Sequence, residues 1–125
     1  MRVLICGGRE FNDWDFLNDT LYDIFNEIGL GASKLVIIHG GARGADSLAG
    51  RFAKEYGIEV EEYPVTKEEW KTLGKGAGHI RNAKMLHNGN PSLVIAFPGG
   101  NGTRNMVDIA RKAGVTVKEI EYGND

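Results

Sequence analysis

The chain has 125 residues, of which 42% are hydrophobic and 26% are charged. This length predicts a single domain that covers residues 1–125. Lysine and arginine number 15 against 17 acidic residues, and the resulting net charge of -2 argues against a general nucleic-acid binder. The one cysteine, Cys6, has no partner for an internal disulfide, and a chain of this size folds without a disulfide or a structural metal.

The first residues form an apolar strand pattern and not a targeting segment. Residues 1–5 contain no signal-peptide hydrophobic region or cleavage site. No run in the chain approaches the roughly 18 apolar residues that a membrane-spanning helix needs. We therefore expect a cytoplasmic protein with no membrane partner.

The first third of the chain predicts a strand, a helix and a second strand. The apolar runs at residues 3–6 and 35–38 each lead into a pair of glycines, and continuous apolar runs of this length are typical of buried parallel strands. Between them, hydrophobic residues repeat with the period of an amphipathic helix. The residues on that helical face are Leu17, Leu21, Ile24 and Ile28.

The middle of the chain predicts a second helix, a third strand and one long connection. Gly57 is placed to end the helix, and residues 58–63 follow as the strand. Residues 65–78, which include Trp70 and three glycines, form the connection, and connections of this length are often functional. The inward-facing residues of the second helix are Ala45, Leu48, Ala49, Phe52, Ala53 and Tyr56.

The last third predicts two helices and two strands. A less regular helix covers about residues 80–86, and the apolar residues 93–97 form the fourth strand. Another helix runs from about residue 103 to 113, and Gly114 ends it before a fifth strand at residues 115–120. The inward-facing residues of that helix are Met106, Val107 and Ala110.

The alternation of strands and helices predicts an α/β fold. We expect a doubly wound, three-layer domain with a five-stranded, mainly parallel sheet in the order 3-2-1-4-5. Ligands of such folds bind at the carboxyl edge of the sheet, where the strand order reverses between strands 1 and 4. Three glycine pairs follow strands and are predicted to converge at that edge. They are Gly7-Gly8, Gly40-Gly41 and Gly99-Gly100.

Glycine turns at strand ends predict a phosphate-bearing ligand. Glycine lets the backbone approach a ligand, and a helix N-terminus offers unpaired N–H groups to an anion. The strongest such element is Pro-Gly-Gly-Asn-Gly-Thr at residues 98–103, where Thr103 is predicted to cap the next helix and to face a phosphate. The chain contains neither a P-loop nor a dinucleotide fingerprint, which disfavours an ATPase or an ordinary NAD-dependent dehydrogenase.

Charged residues near the glycine turns complete the predicted cleft. Asp46 falls in the first turn of the second helix, where it either stabilises the helix N-terminus or accepts hydrogen bonds from ribose hydroxyls. Arg9, Arg43 and Arg81 are predicted to contact phosphate, with Asn82 beside Arg81.

Other reactive residue types give no further site. The three histidines show no metal-ligand spacing, so neither a metal nor a cofactor is predicted. Cys6 has no CxxC partner and is predicted to be a buried, inert thiol. Trp14 and Trp70 lie near the predicted cleft loops, where a ring either stacks on a base or packs in the core.

Six segments of the chain are read together because of their order and spacing. They are RVLICGGR (residues 2–9), HGGARGAD (39–46), Trp70 with KGAG (75–78), IRN (80–82), ML (85–86) and AFPGGNGT (96–103). These segments resemble the YspA branch of the SLOG superfamily, and the resemblance spans nearly the whole chain. It implies a Rossmann-like fold that binds nucleotides or nucleotide-derived ligands. Relatives include the LOG phosphoribohydrolases and the single-strand-DNA protein DprA.

The comparison with LOG enzymes separates binding from hydrolysis. Their similar loop reads PGGxGTxxE, and its glutamate is required for cleaving the base from a nucleoside monophosphate. Met106 holds that position here, and a thioether cannot exchange a proton. Arg81 matches the arginine of the LOG RK-type motif, with Asn82 in place of the lysine. The resemblance therefore implies retained binding without that catalytic carboxylate.

Three functions remain open from the sequence. The leading hypothesis is a domain that binds a nucleotide-derived small molecule as a sensor, carrier or sequestering protein. The second is a hydrolase of an N-glycosidic bond, with Asp46 and Arg81 as its catalytic residues. The third is DprA-like binding of single-stranded DNA, which the acidic balance disfavours. The resemblance also allows a homodimer or a higher homo-oligomer. The candidate ligand-binding residues are Gly7, Gly8, Arg9, Gly40, Gly41, Arg43, Asp46, Trp70, Arg81, Asn82, Pro98, Gly99, Gly100, Asn101, Gly102 and Thr103.

Overall fold

Residues 1–123, the part of the chain that this computed structural model describes, form five strands and five α-helices, with two consecutive helices between the third and fourth strands. The predicted α/β fold is therefore confirmed. The strands are β1 (Arg2–Cys6), β2 (Val36–His39), β3 (Glu59–Glu62), β4 (Leu93–Ala96) and β5 (Thr116–Glu119). The helices are α1 (Trp14–Ile28), α2 (Ala45–Tyr56), α3 (Lys67–Leu73), α4 (Gly76–Gly89) and α5 (Asn101–Lys112), with a 3₁₀ turn at Ala32–Lys34.

The sheet has the order β3-β2-β1-β4-β5, as predicted, and every neighbouring pair of strands is parallel. β1 lies at its centre, where Val3 pairs with Ile37 of β2 on one side and with Leu93 of β4 on the other. The strand order reverses between β1 and β4. The predicted ligand edge therefore lies just beyond Cys6 and Ala96.

The alternation of side chains along β1 divides the interior into two cores. Val3 and Ile5 lie in the core that includes α1 and α2, whereas Leu4 and Cys6 lie in the core that includes α4 and α5. Helices cover both faces of the sheet, which is why β1, β2 and β4 are apolar on both faces. None of the helices within residues 1–123 combines the length and apolar character needed to cross a membrane.

Left-handed glycines end the first two helices. Gly29 has a φ of 78° and Gly57 a φ of 69°, and each donates its N–H to a carbonyl of the last helical turn. Tyr56 was predicted to face inward, but the residue is 38% exposed. α2 ends at this residue, so the ring lies over Phe52 at the rim of the core, with 4.5 Å between the ring centroids.

The prediction of a long connection at residues 65–78 is wrong, because most of this segment is helical. Thr66 Oγ1 accepts from the N–H of Glu69, and Glu69 Oε1 accepts from the N–H of Thr66, both at 3.0 Å. This capping box begins α3, and its Thr-x-x-Glu pattern is the feature of the sequence that indicates the start of this helix. Gly74, with a φ of 58°, ends α3, and α4 begins at Gly76, before the predicted start at residue 80.

The start of α5 also differs from the prediction. The helix begins at Asn101, and Gly100, not Thr103, is the residue that caps it. The N–H of Arg104 donates to the carbonyl of Gly100 at 3.0 Å, which closes the first turn. Thr103 therefore lies inside that turn, with its hydroxyl oxygen against Gly99.

Gly44 provides a stability test of the turn before α2. Its φ is 82°, and a Cβ there would lie against the carbonyl oxygen of Gly8 and 2.6 Å from the carbonyl carbon of Arg9. We expect Gly44→Ala to lower the free energy of unfolding by roughly 2 kcal/mol or more, because the side chain adds backbone strain and a clash.

The matched control is Gly31→Ala, because Gly31 has a φ of -73° and no atom within 4 Å of an added Cβ. Its unfolding free energy is expected to stay within about 1 kcal/mol of the wild type or to rise slightly. Urea unfolding measures both variants. Equal stability of the two would show that Gly44 does not require glycine.

Candidate functional site

Three glycine turns meet at the carboxyl edge of the sheet, around the backbone of Gly8. The N–H of Gly8 donates to the carbonyl of Pro98 at 2.8 Å, and the carbonyl of Gly8 accepts from the N–H of Ala45 at 3.1 Å. Gly8 follows β1, Pro98 follows β4, and Ala45 begins α2 after the β2 turn. The turns thus lie together, as the strand order requires.

The lack of space for a side chain explains why two of these positions are glycine. A Cβ on Gly7 would lie 2.6 Å from the Cβ of Ala45, and a Cβ on Gly99 would lie 2.7 Å from the nitrogen of Gly8. Both separations are well inside van der Waals contact. Only glycine lets these backbones come so close.

A cavity of about 500 Å³ opens at this edge, and we call it the main cavity. Its wall includes the loop after β1, the start of α5, part of α4 and Trp70. This volume lies within the range typical of small-molecule sites. The candidate residues that line it are Gly7, Gly8, Arg9, Asp46, Trp70, Arg81, Asn82, Gly100, Asn101, Gly102 and Thr103.

The remaining candidates line two neighbouring cavities. Gly40, Gly41 and Arg43 line a cavity of about 380 Å³, which we call the side cavity. Pro98 and Gly99 line a third cavity of about 390 Å³, which shares Gly100 and Thr103 with the main cavity. The residues shared by the main and side cavities are Arg9, Ala42, Trp70 and Arg81.

The start of α5 presents backbone donors to the main cavity. Asn101, Gly102 and Thr103 are its first three residues, and all three line the cavity. Their N–H groups precede the first helical hydrogen bond and have no partner within the helix. Such an arrangement, with the positive end of the helix dipole, suits an anion.

Asp46 is a buried carboxylate in the wall of the main cavity. Its side chain accepts a hydrogen bond from the N–H of Ala42 at 3.2 Å, which closes the turn before α2. Burial raises the pKa of Asp46, although the N–H of Ala42 and the Arg81 guanidinium oppose the rise. The hydrogen bond from Ala42 supports the stabilising role predicted for Asp46. The contact with ribose stays a proposal.

Arg81 is held in place by backbone and side-chain oxygens. Its Nη1 donates to the carbonyl of Gly40 at 2.7 Å and to that of Tyr63 at 3.4 Å, and its Nε donates to Asn82 Oδ1 at 3.2 Å. A Cβ on Gly40 would lie 2.6 Å from Arg81 Cζ. Glycine at that turn therefore makes room for the guanidinium group.

Asn82 connects α4 to the start of α5. Its Nδ2 donates to the carbonyl of Gly102 at 3.0 Å and to Asn105 Oδ1 at 3.1 Å. The side chain is buried, and it accepts from Arg81 through its oxygen. Asn82 thus supports the cavity wall by holding two helices together.

The two tryptophans have different surroundings. The Arg9 guanidinium carbon lies 4.9 Å from the centroid of the Trp70 ring, which borders both the main and the side cavity. Trp14 lies under the guanidinium of Arg51 at 3.9 Å and packs against the core that includes α1 and α2. The packing interpretation therefore describes Trp14.

The predicted phosphate ligand Arg43 forms an ion pair with Glu10 at 2.6 Å.

Comparison with known families agrees with this geometry. The family model described as the YspA, cpYpsA-related SLOG family matches residues 1–70, more than half of the chain. The chain belongs to this SLOG family. It is also 40% identical over 129 aligned positions to the Gene 61 protein of Mycobacterium phage D29, with 98% of this chain and 97% of the phage protein covered. The resemblance drawn from the motifs is confirmed, and membership suggests a nucleotide-related ligand.

Within this SLOG protein, the position of the LOG-type glutamate lies in the core. Met106 is fully buried among the residues that pack between the sheet and the helices α4 and α5. The sequence predicted this inward orientation. Met106 therefore supplies packing where the LOG enzymes have a catalytic carboxylate.

Sequence reasoning missed several residues in the wall of the main cavity. Lys75 and His79 were missed because α4 was expected to begin later. Cys6 was expected to be core, and it is buried, yet it also reaches the cavity. Burial and the nearby Asp46 raise the pKa of Cys6 to about 12, so the thiol stays protonated and inert near neutral pH. The full set of missed residues is Cys6, Ala42, Lys75, Gly78, His79 and Met85.

The raised pKa of Asp46 predicts a pH-dependent stability. The folded protein holds the Asp46 proton more tightly than the unfolded chain does, so stability falls as the pH rises from 3.8 through the raised folded-state pKa. Asp46→Asn keeps an oxygen acceptor for Ala42 and removes the charge. The unfolding free energy of this variant, relative to the wild type, is expected to increase with pH across that window and then level off.

Urea unfolding of both proteins at a series of pH values from acid to neutral measures this difference. Using the difference removes the contribution of the titrating groups that the Asp46 charge does not influence. A difference that is constant with pH, or that decreases as the pH rises, would contradict the effect of burial on Asp46.

Proposed function

We propose that the protein binds a nucleotide or a nucleotide-derived small molecule in the main cavity, and that it acts as a sensor, carrier or sequestering protein. The observation that carries this proposal is the start of α5, where Asn101, Gly102 and Thr103 bring free N–H groups to the cavity wall. A phosphate group matches these donors and the positive end of the helix dipole.

The charges around the main cavity support an anionic ligand. Arg9, Lys75 and Arg81 line it, whereas Asp46 is the one carboxylate among its lining residues. This local excess of cations contrasts with the net charge of -2 for the whole chain. A cleft of one sign concentrates ligands of the opposite sign, even on a protein that is acidic overall.

Two further wall residues suit the rest of a nucleotide. Trp70 offers an aromatic face on which a base can stack. Asp46 offers a buried carboxylate that can accept from ribose hydroxyls, in addition to the N–H of Ala42 that it already binds. These roles, and the contact of Arg81 with phosphate, are parts of the proposal.

Binding is better supported than hydrolysis of the N-glycosidic bond. The helix position that carries the glutamate in LOG enzymes holds Met106, which is buried in the core. Hydrolysis would therefore depend on Asp46, whose carboxylate holds the turn before α2. Product analysis separates the two functions directly.

The first experiment is native mass spectrometry of the protein mixed with the four nucleoside 5′-monophosphates and the corresponding diphosphates. The proposal expects one or more of them to be retained intact. Free base with ribose phosphate in the mixture would make the protein a hydrolase. Retention of none of these nucleotides would overturn the proposal.

A pair of variants at Asn101 tests the helix N-terminus itself. Asn101→Pro removes one N–H donor at the first helical position, where proline is well tolerated. Asn101→Ala loses the same side chain, with its bond to Arg104, but keeps the N–H. We expect the proline variant to bind the retained nucleotide about tenfold more weakly than the alanine variant, because a hydrogen bond to a charged phosphate is lost.

Isothermal titration calorimetry measures both affinities, and circular dichroism checks that both variants are folded. Equal affinities of the proline and alanine variants would remove the start of α5 from the binding site.

A further inference from the structure

The last residue of β2 bonds through its side chain to the glycines that follow it, Gly40 and Gly41, which we call the β2 turn. His39 Nδ1 accepts a hydrogen bond from the N–H of Gly41 at 3.0 Å. The backbone of His39 is held as well, because its carbonyl accepts from the N–H of Tyr63 at 2.9 Å. Gly41 has a φ of 71°, and a side-chain acceptor for the N–H two residues ahead stabilises turns of this kind.

This hydrogen bond requires one protonation state of the imidazole ring. Nδ1 accepts only when it carries no proton, so the neutral ring carries its proton on Nε2. Nε2 lies against α2, where a Cβ on Gly50 would be 3.2 Å from it. A glycine inside a helix costs about 1 kcal/mol relative to alanine, and here the missing side chain leaves space for the buried ring.

Charged groups from three elements face the His39 ring. Asp46 of α2 and Glu62 of β3 favour the protonated ring, whereas Arg81 of α4 disfavours it. Burial also disfavours the charged form and has the largest effect, so the pKa of His39 lies below its usual value of 6.5. The ring is therefore neutral at neutral pH, as the hydrogen bond from Gly41 requires.

The β2 turn also supports a cation of the main cavity. The carbonyl of Gly40 accepts from Arg81 Nη1 at 2.7 Å, and a Cβ on Gly40 would lie 2.6 Å from Arg81 Cζ. The guanidinium group therefore rests directly on the backbone of this turn. Its position depends on the geometry that the His39 side chain stabilises.

We propose that His39 is a positioning residue, which in its neutral form holds the β2 turn and thereby Arg81, and which releases both when Nδ1 is protonated. An imidazolium ring has donors on both nitrogens, so Nδ1–H and the N–H of Gly41 become two facing donors. Nδ1 then finds an acceptor only by turning away from Gly41, and the carboxylates of Asp46 and Glu62 attract the charged ring. The bond that shapes the turn is lost, and Arg81 loses its fixed support.

Nuclear magnetic resonance of the protein without added ligand tests this inference. Proton–nitrogen correlation spectra of the imidazole rings report which nitrogen carries the proton, and we expect the Nε2–H form of His39 at neutral pH. On acidification, His39 is expected to take up its second proton below pH 6.5. The protection of the Gly41 amide from hydrogen exchange should then fall about tenfold, because its hydrogen bond is lost. The Nε–H signal of Arg81 should shift with the same midpoint.

Two variants separate the acceptor from its titration. His39→Asn places an amide oxygen at the position of Nδ1 and does not titrate, so the change in Gly41 protection at the His39 midpoint should disappear. His39→Leu removes the acceptor, and its Gly41 amide should be about tenfold less protected than in His39→Asn at neutral pH. The amide of Gly29, which donates to Phe25 at the end of α1, is the internal control and should keep its protection in all three proteins.

The outcomes decide the inference without any nucleotide, so the proposed function stands or falls separately. An Nε2–H ring, with Gly41 and Arg81 signals that follow its titration only in the wild type, supports the inference. An Nδ1–H ring at neutral pH, Gly41 protection that His39 protonation leaves unchanged, or the same change in His39→Asn overturns it. If His39→Leu does not fold, as circular dichroism would show, the wild type and His39→Asn still give this comparison.

Discussion

The close approach of three strand ends to the backbone of Gly8 is the constraint on which the site depends. Gly8 bonds to the turn after β4 through its N–H and to the start of α2 through its carbonyl. A side chain on Gly7, Gly44 or Gly99 would collide with a neighbouring turn. The same packing that leaves no room for a Cβ brings two helix starts and several cations to one edge of the sheet. The close packing that stabilises these turns therefore also determines the geometry of the site.

The apolar runs, the helix-ending glycines and the alternation of strands with helices were together sufficient to predict the sheet and its strand order. Strands buried on both faces need continuous apolar residues, and β1, β2 and β4 have them. Their apolar runs therefore indicate strands that helices cover on both sides of the sheet. The ends of helices were harder to predict, because they depend on single hydrogen bonds. Thr66 and Glu69 begin α3 by capping each other, and Gly100 caps α5 without using a side chain.

The sequence was sufficient to predict the edge of the sheet at which the candidate site lies. It was not sufficient to predict which residues form the walls of the cavities. Glycine pairs after strands indicate which turns converge, since parallel strands end at one edge. They do not indicate that Gly40 and Gly99 line different cavities. Nor do they indicate that Arg81 and Trp70, from helices remote in sequence, form the wall shared by the main and side cavities. Lys75 and His79 enter the wall through the start of α4, which no apolar periodicity marks.

A line of hydrogen bonds crosses the cleft from the start of α5 to the turn after β2. The Gly102 carbonyl accepts from Asn82, Asn82 accepts from Arg81, and Arg81 donates to the Gly40 carbonyl. Asn82 and Arg81 are neighbours on α4, so the line passes through a single helical turn. A displacement of the α5 start must stretch these bonds or carry the Gly40 turn with it. These hydrogen bonds therefore couple the position of the α5 start to that of the Gly40 turn.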